Sequence, residues 1–310
     1  MTNEHTEYSG EVDVPVEAIQ AVDPNVVAAH GASFWTRTAR LDAELDGEHK
    51  EYFLKTSYGD RGRSMMSGEF CSMSTIYAAT PDFVPRPIAW GTYATIPDVH
   101  FLLCDFREMT DDLPDLKSFP VKLAELHRKG TSPDGKYGFS VTTYHGNTPL
   151  NHGWSDTWEE YFTRTTRVLF LLEREAQGPN AEIDALIEPF FEKVVPRLLR
   201  PLETGGRKIK PSLIHGDLWH GNATTDADTN LPIIFDAASF YAHNEYDLGV
   251  WRATWNKIGK PYMVRYHKHF PISPPEADHD DRNALYATLI SGMRELVEKF
   301  PDGLKGWEEA

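Results

Sequence analysis

Cysteine is almost missing from this 310-residue sequence, with Cys71 and Cys104 its only two. Two cysteines cannot build a disulfide framework, and their scarcity points to a reducing compartment. Basic residues are also few, 31 Lys and Arg against 47 Asp and Glu, for a formal net charge of −16. Such a surface repels a phosphate backbone, so nucleic acid is a poor partner, although a nucleotide needs only a few local cations. No apolar run reaches the length that spans a bilayer, which argues against a membrane partner. The opening MTNEHTEYSGEVDV lacks the basic start and apolar core of a signal peptide. These absences together predict a cytoplasmic protein. Internal repeats and long low-complexity segments are missing as well.

What remains is ordinary globular composition, 40% hydrophobic and 12% aromatic, in a chain long enough for one large domain or two lobes. The first third alternates as strands do. SFWTRTARL and EYFLKTS flank a turn at Asp46-Gly47 and read as a hairpin. Met65 to Ala78 reads as a helix that ends before Thr80-Pro81, and PIAWGTY and HFLLCDF read as two more strands. Beyond residues 107–116 the period becomes helical in VKLAELHRK, WEEYFTRTTRVLFLLERE and IDALIEPFFEKVVPRLLR. PSLIHGD and LPIIFDA interrupt the helices and look like a small strand pair, and Tyr246 to Phe300 returns to helix. The expectation is an α+β, bilobal protein-kinase-like fold. Residues 1–25 form an N-terminal arm, 26–105 a small nucleotide-binding lobe with an antiparallel sheet and one helix, and 106–310 a large, mostly helical catalytic and substrate lobe. Ligands favour the cleft between such lobes.

The densest chemical signal is His215-Gly216-Asp217-Leu218-Trp219-His220-Gly221-Asn222, followed by Ile233-Ile234-Phe235-Asp236. Asp217 and Asn222 repeat the D-x-x-x-x-N spacing of a kinase catalytic loop. In that arrangement Asp217 accepts the proton of a substrate hydroxyl, while Asn222 and Asp236 offer hard oxygens to magnesium. His215 braces the loop and is also a substrate-side candidate. Two other readings stay open: an ordinary Gly-rich turn, or a metal-hydrolase cluster of His215, Asp217 and His220.

Upstream, Lys55 ends the alternating run EYFLK and Glu69 sits in the helical MMSGEFCSM. A Lys–Glu pair there would place an ammonium on the α- and β-phosphates of ATP. The bland alternative is a surface lysine and a solvated glutamate. The order Lys, Glu, Asp, Asn, Asp nonetheless follows the kinase order throughout. Ser33, in His30-Gly31-Ala32-Ser33-Phe34, is a candidate phosphate contact, though the repeated glycines of protein kinases are absent. Cys104 and Phe106 fall where an adenine-contacting hinge would run.

The sequence resembles the fructosamine kinase, or ketosamine-3-kinase, family, especially its fungal protein-ribulosamine 3-kinase-like branch. HGDLWHGN (215–222), FDAASFYAHNEYDL (235–248), YFLK (52–55), GEF (68–70), PRPIAWGTY (85–93) and WSDTW (154–158) carry the resemblance. It extends over about residues 26–300. It implies an aminoglycoside-phosphotransferase-like kinase fold, ATP and Mg2+ as cofactors, and phosphorylation of the 3-hydroxyl of ketosamines or glycated proteins. The 3-phosphate destabilises the adduct and reverses glycation. The resemblance also makes Trp219, Asp156 and Trp158 candidates for the sugar-facing wall. It departs from the family at His220, where serine is frequent, and at Asp236-Ala237-Ala238, where many members have a DPA-like run.

Rival functions are a kinase of the same fold acting on an aminoglycoside, choline or homoserine, and a nucleotide-binding protein without turnover. Preferred sugar adduct and oligomeric state are left open by the sequence.

Overall fold

The computed structural model describes residues 28–32, 36–45, 48–94, 96–287, 290–305 and 307. Ser33, the turn at Asp46-Gly47 and the N-terminal arm lie outside them.

The first half of the fold is one antiparallel sheet in the order β1-β2-β3-β5-β4. Its strands are β1 (Ala28–Ala32), β2 (Arg37–Leu45), β3 (Glu48–Tyr58), β4 (Pro87–Thr92) and β5 (Val99–Asp105). The expected hairpin is β2–β3, paired from Arg37 opposite Thr56 to Leu45 opposite Glu48. Alternation along β3 decides which side chains face where. Leu54 packs with Leu41, Ala89 and Phe101, so its neighbour Lys55 points to the other face.

Helix α1 runs from Gly59 to Ala79 and lies on that other face. It begins about a turn and a half earlier than the apolar pattern suggests, because its first residues, GDRGRS, are polar and carry no helical period. Met66 packs on Leu102 and Cys104 of β5, whereas Met73 and Ile76 join the core of the second lobe. Residues 66, 69, 73 and 76 share one helical face by their spacing of three and four. Glu69 is thereby carried inward between two apolar contacts.

The second lobe holds α2 (Ser118–Lys129), α3 (Trp158–Gln177), α4 (Ala181–Pro189), α5 (Val195–Leu199), α6 (Lys260–Tyr266), α7 (His279–Ala287) and α8 (Ile290–Lys299). A π-turn over Phe190–Val194 joins α4 to α5 where Pro189 breaks the α-helical ladder. The two short apolar runs do form strands, but they do not pair with each other as the sequence suggested. β10 (Ser212–Ile214) pairs with β13 (Phe240–Ala242), and β12 (Pro232–Ile234) with β11 (Ala223–Thr225). β6 (Tyr137–Phe139) and β9 (Gly153–Ser155) extend the β10–β13 sheet, and β7 (Thr143–His145) and β8 (Thr148–Leu150) form a separate hairpin. The segment after Tyr246 is less helical than expected, with a 3-10 stretch over Asn244–Arg252 ahead of α6. Among the described residues, no helix is long and apolar enough to cross a membrane.

Candidate active site

The loop 215–222 lies between β10 and β11, and Asp236 follows β12. Two backbone hydrogen bonds hold these loops side by side: Phe235 N–H donates to Asn222 O at 3.1 Å, and Ala238 N–H to His215 O at 3.0 Å. Gly216 has φ +85°, and a Cβ there would meet Ala238 O at 2.2 Å, so only glycine allows this approach. Asp236 itself takes a left-handed φ of +56°, a conformation uncommon outside glycine that turns its side chain back toward the first lobe.

Lys55 donates to both oxygens of Glu69, at 2.8 and 3.0 Å, and to Asp236 Oδ1 at 2.9 Å. Burial opposes the ammonium, but Asp236 and Glu69 outweigh it and hold Lys55 above the usual lysine range. Glu69 shares that single cation with a second carboxylate. Its burial, only partly offset by Lys55, pushes it up to about 7. Burial also raises Asp236, yet the neighbouring ammonium prevails and holds it below the ordinary aspartate value.

Asn222 donates Nδ2–H to Asp217 O at 2.9 Å and to Asp217 Oδ2 at 3.1 Å. With its nitrogen so engaged, Oδ1 is the end left to accept or to ligate. Lys55, Glu69, Asp217, Asn222 and Asp236 line one cavity of about 330 Å³ with Thr36, Met65, Tyr144, Gly146, Trp219 and Ala237.

His215 sits fully buried beneath this floor. Its Nδ1 accepts from Asp217 N–H at 3.2 Å and its Nε2–H donates to Phe235 O at 2.9 Å. Burial holds it below the ordinary histidine range, in keeping with a neutral ring that accepts at one nitrogen. Both nitrogens are occupied, which removes His215 from the substrate side. It also dissolves the hydrolase cluster with His220, since the one ring lone pair, on Nδ1, is taken by Asp217 N–H.

Four further candidates do not line the cavity. Trp158 is fully buried, surrounded by Tyr137, Tyr161, Phe162, Tyr246 and Tyr286. Its Nε1–H donates to Tyr286 Oη at 2.9 Å, so it belongs to the core and has no face for a sugar. Asp156 is exposed and pairs with Lys136 at 3.0 Å. The Cys104 side chain is buried with Met66 and Leu102, and burial, reinforced by Glu69, pushes its thiol far up. Phe106 donates its N–H to Glu51 O at 3.0 Å and lies under the Arg40 guanidinium.

Two supports hold the catalytic loop from behind. Asp247 accepts from His215 N–H and Gly216 N–H, both at 2.8 Å, and pairs with His127 at 3.2 Å inside the second lobe. Burial raises its carboxyl, but His127 and the loop N–H groups hold it below the ordinary range. The β7–β8 hairpin brings Tyr144 and Gly146 to the cavity. His145 Nε2–H donates to Gly216 O at 2.7 Å, and Arg61 of α1 reaches Asn147 at 2.7 Å. The signal was a His-Gly-Asn turn between Thr-Tyr and Thr-Pro-Leu, too short to stand out by period.

The sequence model of fructosamine kinases matches residues 34–291. The chain belongs to the fructosamine kinase family. A rice (Oryza sativa subsp. indica) chloroplastic protein-ribulosamine 3-kinase is 33% identical over 76% of this chain, which spans only 64% of that relative's length. A mouse ketosamine-3-kinase is 29% identical over 74% of the chain and 78% of its own. A solved Thermobifida fusca structure, described as a fructosamine-3-kinase, superimposes with TM-score 0.67 at 20% identity, over 88% of this chain and 93% of its own. An aminoglycoside phosphotransferase solved with AMP-PNP and hygromycin B gives 0.55 at 12% identity, over 88% and 90%. The fold is the bilobal, kinase-like fold of aminoglycoside phosphotransferases.

Proposed function

We propose that this fructosamine kinase family member transfers the γ-phosphoryl group of ATP to the 3-hydroxyl of ketosamines. The observation that carries the reading is the convergence of Lys55, Glu69, Asp217, Asn222 and Asp236 on one cavity, from four separate stretches of chain.

Each residue has a part. Lys55, held by Glu69, presents its ammonium to the nucleotide phosphates. The Asp217 carboxylate orients the substrate hydroxyl and receives its proton as the new O3–phosphorus bond forms and ADP departs. Phosphoryl transfer demands chiefly alignment and neutralised charge, and fixed side chains supply the alignment. Magnesium fits the donors present: Asn222 Oδ1 and the Asp236 carboxylate are hard oxygens, and one ammonium between two carboxylates leaves negative charge for a cation to offset. When bound, the ion neutralises charge developing on the phosphates. Trp219, beside Asp217, would face the sugar.

A phosphate at C3 is a better leaving group than hydroxyl. Enolisation toward C1 expels it, and hydrolysis of the resulting imine frees the amine, which reverses glycation.

The test incubates the purified chain with ATP, magnesium and a panel of ribulosamines, fructosamines, psicosamines and an aminoglycoside, with phosphorus NMR as readout. A sugar 3-phosphate on a ketosamine is expected, with activity at least about a hundredfold lower in Asp217→Asn. Phosphorylation of the aminoglycoside alone would overturn the substrate class, and full Asp217→Asn activity the base.

A further inference from the structure

Trp219 is the inner member of a row of rings that runs out of the cavity. Its indole lies so close over the catalytic loop that a Cβ on Gly221 would meet its ring carbons at 2.2 to 2.5 Å. On its outer side stand His220 and Trp255, with ring centroids 5.0 and 5.9 Å from it and edge-on to it. Trp255 does not line the cavity and is 58% exposed.

The backbone that carries the outer ring is anchored. Its neighbour Asn256 is buried and accepts His220 N–H at 3.1 Å and Ile258 N–H at 3.2 Å, while donating to Val250 O at 3.2 Å. The loop bearing Trp255 is therefore tied to the catalytic loop that carries Asp217.

A ketosamine has a sugar end and an amine end. With O3 at Asp217, only C3, C2 and C1 separate the reacting oxygen from the amine nitrogen. That nitrogen is cationic when protonated and comes to lie by Trp219, where a ring face attracts it. Whatever the amine carries must then continue outward. The arm of a lysine, built from single bonds of about 1.5 Å, reaches roughly 6 Å from Nε to Cα. This matches the 5.9 Å step from the Trp219 ring to the Trp255 ring.

We propose that Trp255, with His220, is an aglycone subsite that takes the hydrocarbon arm of lysine-borne ketosamines, and that Trp255 sets preference for them over adducts of short amines. The assignment rests on the ketosamine kinase reading. It gives His220, a departure from the family pattern, a place in recognition, and it explains why an indole on a loop tied to the catalytic loop faces water beside the cleft.

The experiment uses the full chain with ATP, magnesium and two substrates that share one sugar, the ribulose adducts of Nα-acetyl-lysine amide and of methylamine. The wild type is expected to favour the lysine adduct in kcat/KM by about tenfold, the worth of one or two buried methylenes. Trp255→Ala should bring the ratio close to unity, chiefly through a higher KM for the lysine adduct, as for lost uniform binding. Trp255→Phe should keep most of the preference, and it carries the comparison if the alanine variant does not fold. An unchanged ratio in the variants, or an equal fall in kcat on both substrates, would overturn the subsite. If the wild type phosphorylates both adducts, the ketosamine reading survives that result. If it phosphorylates neither, that reading fails and the subsite with it.

Discussion

Lys55 Nζ lies 2.9 Å from Asp236 Oδ1 while it also grips both oxygens of Glu69. The small-lobe sheet, α1 and the loop after β12 thus meet at one ammonium. Two carboxylates around one cation leave unbalanced negative charge, and stability should respond to pH through Glu69, the more deeply buried of the two.

The sign follows from its raised value. A glutamate titrating near 7 when folded and near about 4.3 when unfolded binds protons more tightly in the native state. Its contribution is fully present below the unfolded value and is lost as pH rises through about 7. Asp236, held low, acts in the opposite sense at more acidic pH. Between pH 5 and 7 the wild type should therefore lose of the order of 1–3 kcal/mol relative to Glu69→Gln. Urea unfolding of both proteins across this range checks it, and parallel profiles would contradict a raised Glu69.

Asp247 makes a different prediction. Its carboxylate accepts the N–H groups of His215 and Gly216 and faces His127, with all of these groups withdrawn from solvent. Asp247→Ala leaves two loop N–H groups and His127 Nε2 without their partner and should destabilise by about 3–5 kcal/mol. Asp247→Asn keeps one acceptor oxygen and should cost less. If the alanine variant melted like the wild type, Asp247 would not be the anchor of the catalytic loop.

The two lobes and the polar site residues were legible because their signals are local. Alternation in EYFLK set Lys55 opposite Leu54, helical spacing put Glu69 in line with Met66 and Met73, and DLWHGN carried its own spacing. Pairings across the chain were not legible. β10 and β12 are both short apolar runs, and nothing in either says that its partner is β13 or β11. Trp158 misled for a related reason. A tryptophan near a family motif looks the same in sequence whether its indole faces a ligand or Tyr286. The contact of Asp247 with His127 was not legible either, because the two lie 120 residues apart, beyond any local pattern.

Gly221 tests the placement of Trp219. A methyl group at 221 would collide with the indole, so Gly221→Ala should swing the ring from the cavity wall and raise KM for the ketosamine several-fold. Trp219→Ala should do the same by removing the ring. Since both act on one side chain, the double variant should be little worse than either alone. Additive losses in KM would show that Gly221 acts elsewhere in the loop.

Trp158 provides the converse test. Its indole fills the second-lobe core and donates to Tyr286 Oη, which in turn bonds His243 Nδ1 at 2.8 Å. His243 Nε2 continues the chain to Ser273 Oγ at 2.9 Å, and burial holds that histidine down to about 4, as an accepting neutral ring requires. Trp158→Ala empties a large volume and should cost about 3–5 kcal/mol. Trp158→Phe keeps most of the packing but loses the indole donor, for about 1 kcal/mol. Because the residue is buried away from the cavity, the phenylalanine variant should keep the wild-type KM for ketosamine despite its lower melting temperature. A several-fold rise in KM with an unchanged melt would return Trp158 to the substrate wall.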